Sequence, residues 1–252
     1  VMTDPLGRLA SEPALVALAA EISEQAAALR FHEALRRHSA QARHAAIVAS
    51  STHLSDAAGL PPGGDLAEQI VTGQAAGDDP RWRCYRVLRR SLDFFGTLGG
   101  AADRTPPGQI ISALRRDAGL PGAPPAGLQQ AGGLMTSTSP AFVVTALIWA
   151  HAQLASEEET AAFGAGGPLP IPTTTFAAAL ASIHAVRSGL DPAGVSVVSD
   201  VEAPQALADY RAGSWVGALG WCEAFGQMWR AGLAAGRVVC DEVRAGRRGG
   251  AR

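Results

Sequence analysis

The residues with the most chemical potential in this chain lie in one stretch. Two strongly apolar segments with helical spacing each carry a histidine, His151 near the end of the first and His184 on the second. Burial lowers a histidine's pKa and leaves a neutral imidazole, which acts as a base or, far more commonly, satisfies a nearby polar group. Between the two lie Glu157-Glu158-Glu159, then Phe163-Gly164-Ala165-Gly166-Gly167, then a proline-rich approach to the second segment. A glycine-rich turn ahead of a helix presents backbone N–H groups to an anion. Three adjacent carboxylates repel phosphate unless a divalent cation stands between them.

Other chemistries are absent. His32, His38 and His44 are spaced by six, and six residues turn a helix by about 240°, so these rings cannot converge on one metal from a straight helix. No His-Glu-x-x-His, Gly-x-Ser-x-Gly or strand-linked Gly-x-Gly-x-x-Gly occurs, which disfavours a zinc protease, an α/β-hydrolase and a nicotinamide oxidoreductase. All 21 basic side chains are arginine. Without lysine there is no Walker-type phosphate loop, no Schiff base and no lysine general base. Cys84, Cys222 and Cys240 have neither disulfide nor zinc-knuckle spacing and read as small buried hydrophobes. No cofactor is called for.

The elements that must position these residues are helical. Ser11 and Pro13 open a pattern through Leu15, Leu18, Ile22 and Leu29 toward Leu35, one amphipathic helix or two abutting ones. A helix follows from Ser39 through Val48. Asp65 and Glu68, at capping-box spacing, start a short helix through Ile70 that Gly73 ends. Asp79 and Pro80 begin another, with Tyr85, Leu88, Leu92 and Phe95 on one face and a solvated stripe of Arg83, Arg86 and Arg90 on the other. Residues 119–139, rich in Gly and Pro, read as a loop. Ser139-Pro140 starts the most apolar helix, and one of Thr173, Thr174 or Thr175 starts the next, which Gly189 stops. A minor β-hairpin at most is expected, at Val195 to Val198. Finally Trp215, Leu219, Cys222, Gly226, Trp229, Leu233, Gly236, Cys240 and Val243 alternate spacings of four and three along one long helix. Gly226 and Gly236 within it imply that something packs close to the backbone.

At 252 residues and 47% hydrophobic, with only 6% aromatic, the chain forms a helical domain with an Ala-, Leu- and Val-rich core. Residues 1–28 read as a helical extension, 29–246 as the domain and 247–252 as a disordered basic tail. A net charge of −2 gives no overall attraction to nucleic acid or to a membrane surface. No apolar run reaches the ~18 residues of a membrane span. No signal-type leader opens the sequence, and the cytosol is the expected compartment.

The order of several stretches resembles Fic-domain proteins, particularly degenerate Fic-like proteins of high-GC actinobacteria. These are Leu29-Arg30-Phe31-His32-Glu33-Ala34-Leu35-Arg36-Arg37, Ile47-Val48-Ala49-Ser50-Ser51, Ala150-His151-Ala152-Gln153-Leu154-Ala155, Gly189-Leu190-Asp191-Pro192-Ala193-Gly194-Val195, and the closing Asp241-Glu242-Val243-Arg244-Ala245-Gly246. The resemblance implies an all-α bundle around a central helix-loop-helix. It also implies transfer of AMP or another phosphate-containing group to a protein hydroxyl, by a loop of the form His-x-Phe-x-Asp/Glu-Gly-Asn-Gly-Arg-x-x-x-Arg. Here that loop keeps only Phe163 and the run Gly164, Ala165, Gly166 and Gly167; base, metal ligand, Asn and both Arg are missing. The family's inhibitory helix is eroded as well, with Ser50, Ser51 and Thr52 followed by no Glu at the required spacing.

Two readings follow. In the first, the protein is non-catalytic and acts by binding, with a protein as the expected partner, and with Phe163, Gly164, Gly166 and Gly167 as the place a nucleotide or other anion would sit. The second keeps a divergent nucleotidyl- or phosphoryl-transfer enzyme, with Glu157, Glu158 or Glu159 holding a metal.

Overall fold

The computed structural model describes residues 4–60, 69, 79–96, 105–163, 171–199 and 203–247. Among them are eleven α-helices and no strand: α1 (Pro5–Ala10), α2 (Pro13–Arg30), α3 (Glu33–Arg37), α4 (Ser39–Ala57), α5 (Pro80–Ser91), α6 (Pro107–Ala118), α7 (Ala126–Leu134), α8 (Ala141–Phe163), α9 (Thr175–Ser188), α10 (Pro204–Arg211) and α11 (Trp215–Arg244). The expected all-α class is therefore observed. The helix expected at Asp65, Glu68, Ile70 and Gly73 lies outside the described residues, as do residues 248–252 of the tail.

Helix boundaries follow local chemistry. Asp79 accepts the Arg81 N–H at 2.8 Å, with Pro80 preset for the first turn of α5. Ser214 caps α11 through the Gly217 N–H at 2.9 Å. Gly189, at φ 81°, ends α9 in the left-handed conformation that a side chain resists. The break between α2 and α3 falls at Phe31, where His32 Nδ1 takes the Ala34 N–H at 3.2 Å and starts a new helix. Two abutting helices, not one, thus run toward Leu35, and α4 continues nine residues past Val48 to Ala57.

Helix α8 is the core. Val143, Val144, Ala146, Ile148, Trp149, Ala150 and Ala152 are wholly buried around its circumference, as expected for a helix apolar on all sides. Helices α7, α9 and α11 pack against it, and α11 also carries α2, α4 and α10. Trp149, Phe225 and Trp229 follow one another where α8 meets α11, the first pair tilted with ring centroids 6.0 Å apart and the second stacked at 5.3 Å. The seam of α11 is internal: Trp229 is 1% exposed and Leu233 2%, while Cys222 and Cys240 are fully buried.

One sequence expectation is corrected. Residues 119–139 are not a loop: α7 occupies their middle, with Leu128 and Ala131 fully buried. Its glycines are packing positions, since a Cβ on Gly127 would lie 2.9 Å from the Ala155 Cβ and 3.1 Å from the His151 carbonyl of α8. Residues Val195 to Val198 form no hairpin, because their backbone donors find helix partners. The Val197 N–H bonds the Gly232 carbonyl at 3.0 Å and the Val198 N–H bonds Ser50 Oγ at 2.8 Å.

The same segment accounts for the glycines of α11. A Cβ at Gly226 would strike Leu18 and the Phe142 ring, one at Gly236 the Val195 carbonyl, and one at Gly232 would lie 2.6 Å from the Val197 carbonyl. Overpacking against a fixed backbone costs about 1–3 kcal/mol and outweighs the roughly 1 kcal/mol of helix propensity gained. Gly232→Ala is expected to lower stability by about 1–2 kcal/mol in urea melts. Gly133→Ala, with open space around it, is expected to raise stability by about 0.5–1 kcal/mol. A stabilised Gly232→Ala protein would show that the Val197 carbonyl does not sit against α11.

Candidate functional site

The chemistry expected between His151 and His184 begins inside α8. The helix continues twelve residues past His151, so Glu157, Glu158 and Glu159 lie on its last turns and not in a turn before α9. A ladder at four-residue spacing stabilises this end. Trp149 Nε1–H donates to Gln153 Oε1 at 2.9 Å, Gln153 Nε2–H donates to Glu157 Oε1 at 3.2 Å, and the Arg211 guanidinium of α10 donates to Glu157 Oε2 at 2.8 Å.

Glu159 points inward. Both its oxygens are held by Arg115 of α6 at 2.7 and 2.8 Å, and Arg115 gives a further bond to the Pro121 carbonyl at 3.1 Å. The guanidinium is 3% exposed and the carboxylate 13%, so this is a fork-to-fork pair out of water. Glu158 faces solvent. The three acids therefore diverge, and two already hold arginine. Among the described residues, no three His, Cys, Asp or Glu side chains come close enough to hold a metal.

Phe163 closes α8; Gly164, Gly166 and Gly167 lie outside the described residues. The two histidines do not meet. His151 Nε2 shares a hydrogen bond with the Tyr210 hydroxyl of α10 at 3.0 Å; burial holds the imidazole below its ordinary pKa and pushes Tyr210 up to about 12, helped by Cys222. His184 is buried against Thr145 Oγ1 at 2.8 Å. The single Thr145 proton goes to the Ala141 carbonyl at 2.7 Å, so His184 Nδ1 carries hydrogen and donates. Burial first, then Arg187, lowers its pKa to about 4. Both imidazoles are neutral partners of hydroxyls, the commoner of the roles expected for them.

Other polar groups are equally occupied. The arginine stripe of α5 is not merely solvated: Arg86 caps the Asp117 carbonyl at the C-terminal end of α6 at 2.7 Å, and Arg90 lies 3.6 Å from the Asp117 carboxylate. Arg81, 7% exposed, bonds Asp56 at 3.0 Å and the Leu60 carbonyl at 2.9 Å. Asp191, 1% exposed, takes the N–H groups of Gly194 at 3.1 Å and Ser196 at 3.2 Å and the Ser196 hydroxyl at 2.7 Å. It fixes the turn that delivers residues 195–198 to α11, and Arg43 bonds the Ala193 carbonyl beside it at 2.9 Å. A cavity of about 10 Å³ between Ser50, Ser182, Asp191 and Ser196 has room for one water. The cysteines are buried and free, with thiols pushed up by burial to about 11 at Cys84, 12 at Cys222 and 11 at Cys240.

Sequence reasoning missed Arg115 because it missed α6. The signal was present in Pro107, in the apolar spacing of Ile110, Ile111 and Leu114, and in the terminating Gly119. The pairing with Glu159, forty-four positions away, left no local trace.

Two measurements test this geometry. Removing one partner of a buried ion pair costs about 3–5 kcal/mol, against about 0.2–1 kcal/mol for an exposed pair. Arg115→Ala should fall in the first range and Arg211→Ala in the second, in denaturant melts; equal losses would remove the distinction drawn here. The second concerns acid. The folded His184 pKa, about 4, lies below the unfolded value of about 6.5. Its contribution is therefore full above about pH 6.5 and is lost as pH falls toward 4, at up to about 1.4 kcal/mol per pH unit. His184→Asn is expected to flatten the stability-against-pH curve over that window, and an unchanged slope would show that His184 titrates normally.

No family model, no curated protein and no solved structure matches the chain.

Proposed function

We propose that the chain is a non-catalytic Fic-like protein of actinobacterial type, acting in the cytosol by binding a protein partner. One observation carries this reading: Glu159, at the end of the helix that would lead into a catalytic loop, is held on both oxygens by the buried Arg115. A carboxylate so held already has a buried cation as its partner, and one lone pair of each oxygen is committed to it. Glu157 is tied to Arg211 and Gln153, and His151, about two turns back on α8, is turned to Tyr210. Phosphoryl and nucleotidyl transfer depend almost wholly on positioning and on charge stabilisation. Loss of one preorganised donor costs a factor of about 100–1,000, and here base, metal ligand and cationic clamp are all missing.

Support for the Fic-like part comes from the order of the elements that carry the resemblance: a buried pair, α8 and α9, then the Asp191 turn and, after the short α10, one long closing helix. Three buried unpaired thiols suit a reducing compartment, and among the described residues no helix is long and apolar enough to cross a membrane.

Incubation of the full chain with labelled ATP and magnesium or manganese, alone and with cell extract, is expected to leave no label on any protein. Robust labelling of the chain or of another protein, abolished by Glu159→Gln, would establish the transferase instead. Calorimetry with ATP, GTP and CDP at millimolar concentration separates nucleotide binding from turnover.

A further inference from the structure

Helices α2 and α11 run in the same direction along the surface. Leu18 sits over Gly226, Glu21 meets Arg230 at 2.6 Å, and Phe31 shares a hollow with Leu233 and Arg237. Two hollows open along their seam. The first, of about 500 Å³ and nearer the N-terminal ends, is floored by Ala14, Ala17, Gly220 and Ala224. The second, of about 560 Å³, lies at the other end beside Phe31. Phe31 is 78% exposed, the most exposed large hydrophobic side chain of the described residues.

Each end carries one charge of the proposed pair. Glu223 borders the first hollow beside the Glu21–Arg230 pair; Arg237 borders the second, together with Glu24 and with His32, which is bonded to Asp241 at 3.2 Å. Among the described residues, neither Glu223 nor Arg237 takes part in an ion pair of the chain's own. Both stand seven positions from Arg230, one toward each end. Seven residues are about two turns, so the three share one face, and each glutamate or arginine lies about 10.5 Å along the axis from Arg230.

We propose that this face binds a second copy of the chain about a twofold axis passing near Arg230. Such an axis exchanges the ends of the seam. It lays Phe31 of each copy into the small-residue hollow of the other and brings each Glu223 opposite an Arg237. Self-complementarity of this kind is what an isologous interface requires. An aromatic anchor seated in a pocket and bordered by opposite charge is the usual form of a strong interface point. The strip from Gly220 to Arg237 is about 26 Å long and two helices wide, which buries roughly 1,000 Å² in total, at the lower end for specific association. The dimer is therefore concentration-dependent. The proposal uses neither end of α8 and is independent of the function proposed above.

Sedimentation velocity on the full chain over a range of concentrations tests it. A monomer–dimer equilibrium is expected, weakened at least about tenfold by Phe31→Ala and by Glu223→Arg. The double reversal Glu223→Arg with Arg237→Glu should restore it, because each new arginine faces a new glutamate. Circular dichroism and melts confirm that these surface variants stay folded. A wild-type chain that remains monomeric to about 1 mM, a dimer insensitive to both single changes, or a folded double variant that does not recover would each overturn the proposal.

Discussion

Helix α11 makes its closest approaches to the rest of the chain where it lacks side chains. At Gly217, Gly226, Gly232 and Gly236 the nearest atoms belong to the backbone of Asp209, to Leu18, and to the carbonyls of Val197 and Val195. These four contacts place α10, α2 and the extended segment after Asp191 on a single helix. Each glycine weakens the helix by about 1 kcal/mol relative to alanine, so α11 is held by what packs on it more than by its own propensity. In return the chain gains contacts no larger residue permits, and the aromatic row of Trp149, Phe225 and Trp229 is fixed between α8 and α11.

The long elements were legible because they obey one local rule at a time. The seam of α11 repeats without a miss, and the structure buries it from Cys222 to Val243. The Ser139-Pro140 start and the left-handed Gly189 stop are local chemistry acting at a helix end, and of the three threonines offered for the next start the helix begins at Thr175. Reading α7 as a loop failed for a physical reason: Gly127 and Gly132 look like breakers in isolation, yet a glycine opposite Ala155 is what lets a short helix lie against α8. The valines of 195–198 mislead in the opposite sense. They have the composition of a strand, but a helix carbonyl and a serine hydroxyl satisfy their N–H groups, so no second strand is needed.

The candidate site was half legible. The sequence placed Glu157, Glu158 and Glu159 between the two apolar histidine-bearing segments. It did not show that α8 runs through them, because the hydrophobic pattern ends at Leu154 and what extends the helix is a ladder of polar side chains. Nor did it reveal where each acid points: Arg115 and Arg211 arrive from α6 and α10, whose positions are set by tertiary packing. With every basic side chain an arginine, these contacts take a particular form. A guanidinium bonds two oxygens at once in a fixed planar fork, so Arg115 fixes the orientation of Glu159.

The three cysteines give the molecule a further property. Cys84, Cys222 and Cys240 are each fully shielded, on α5 and on two levels of α11, with thiols that stay protonated at neutral pH. A thiol in that state is inert toward alkylating reagents and peroxide, and it reacts only when the surrounding helices part. Cys84 stands beside Thr175 at the start of α9, while Cys240 is near the end of α11. The chain thus carries natural clocks in separate parts of its core, whose ticking under a slow thiol probe would time how often each part opens.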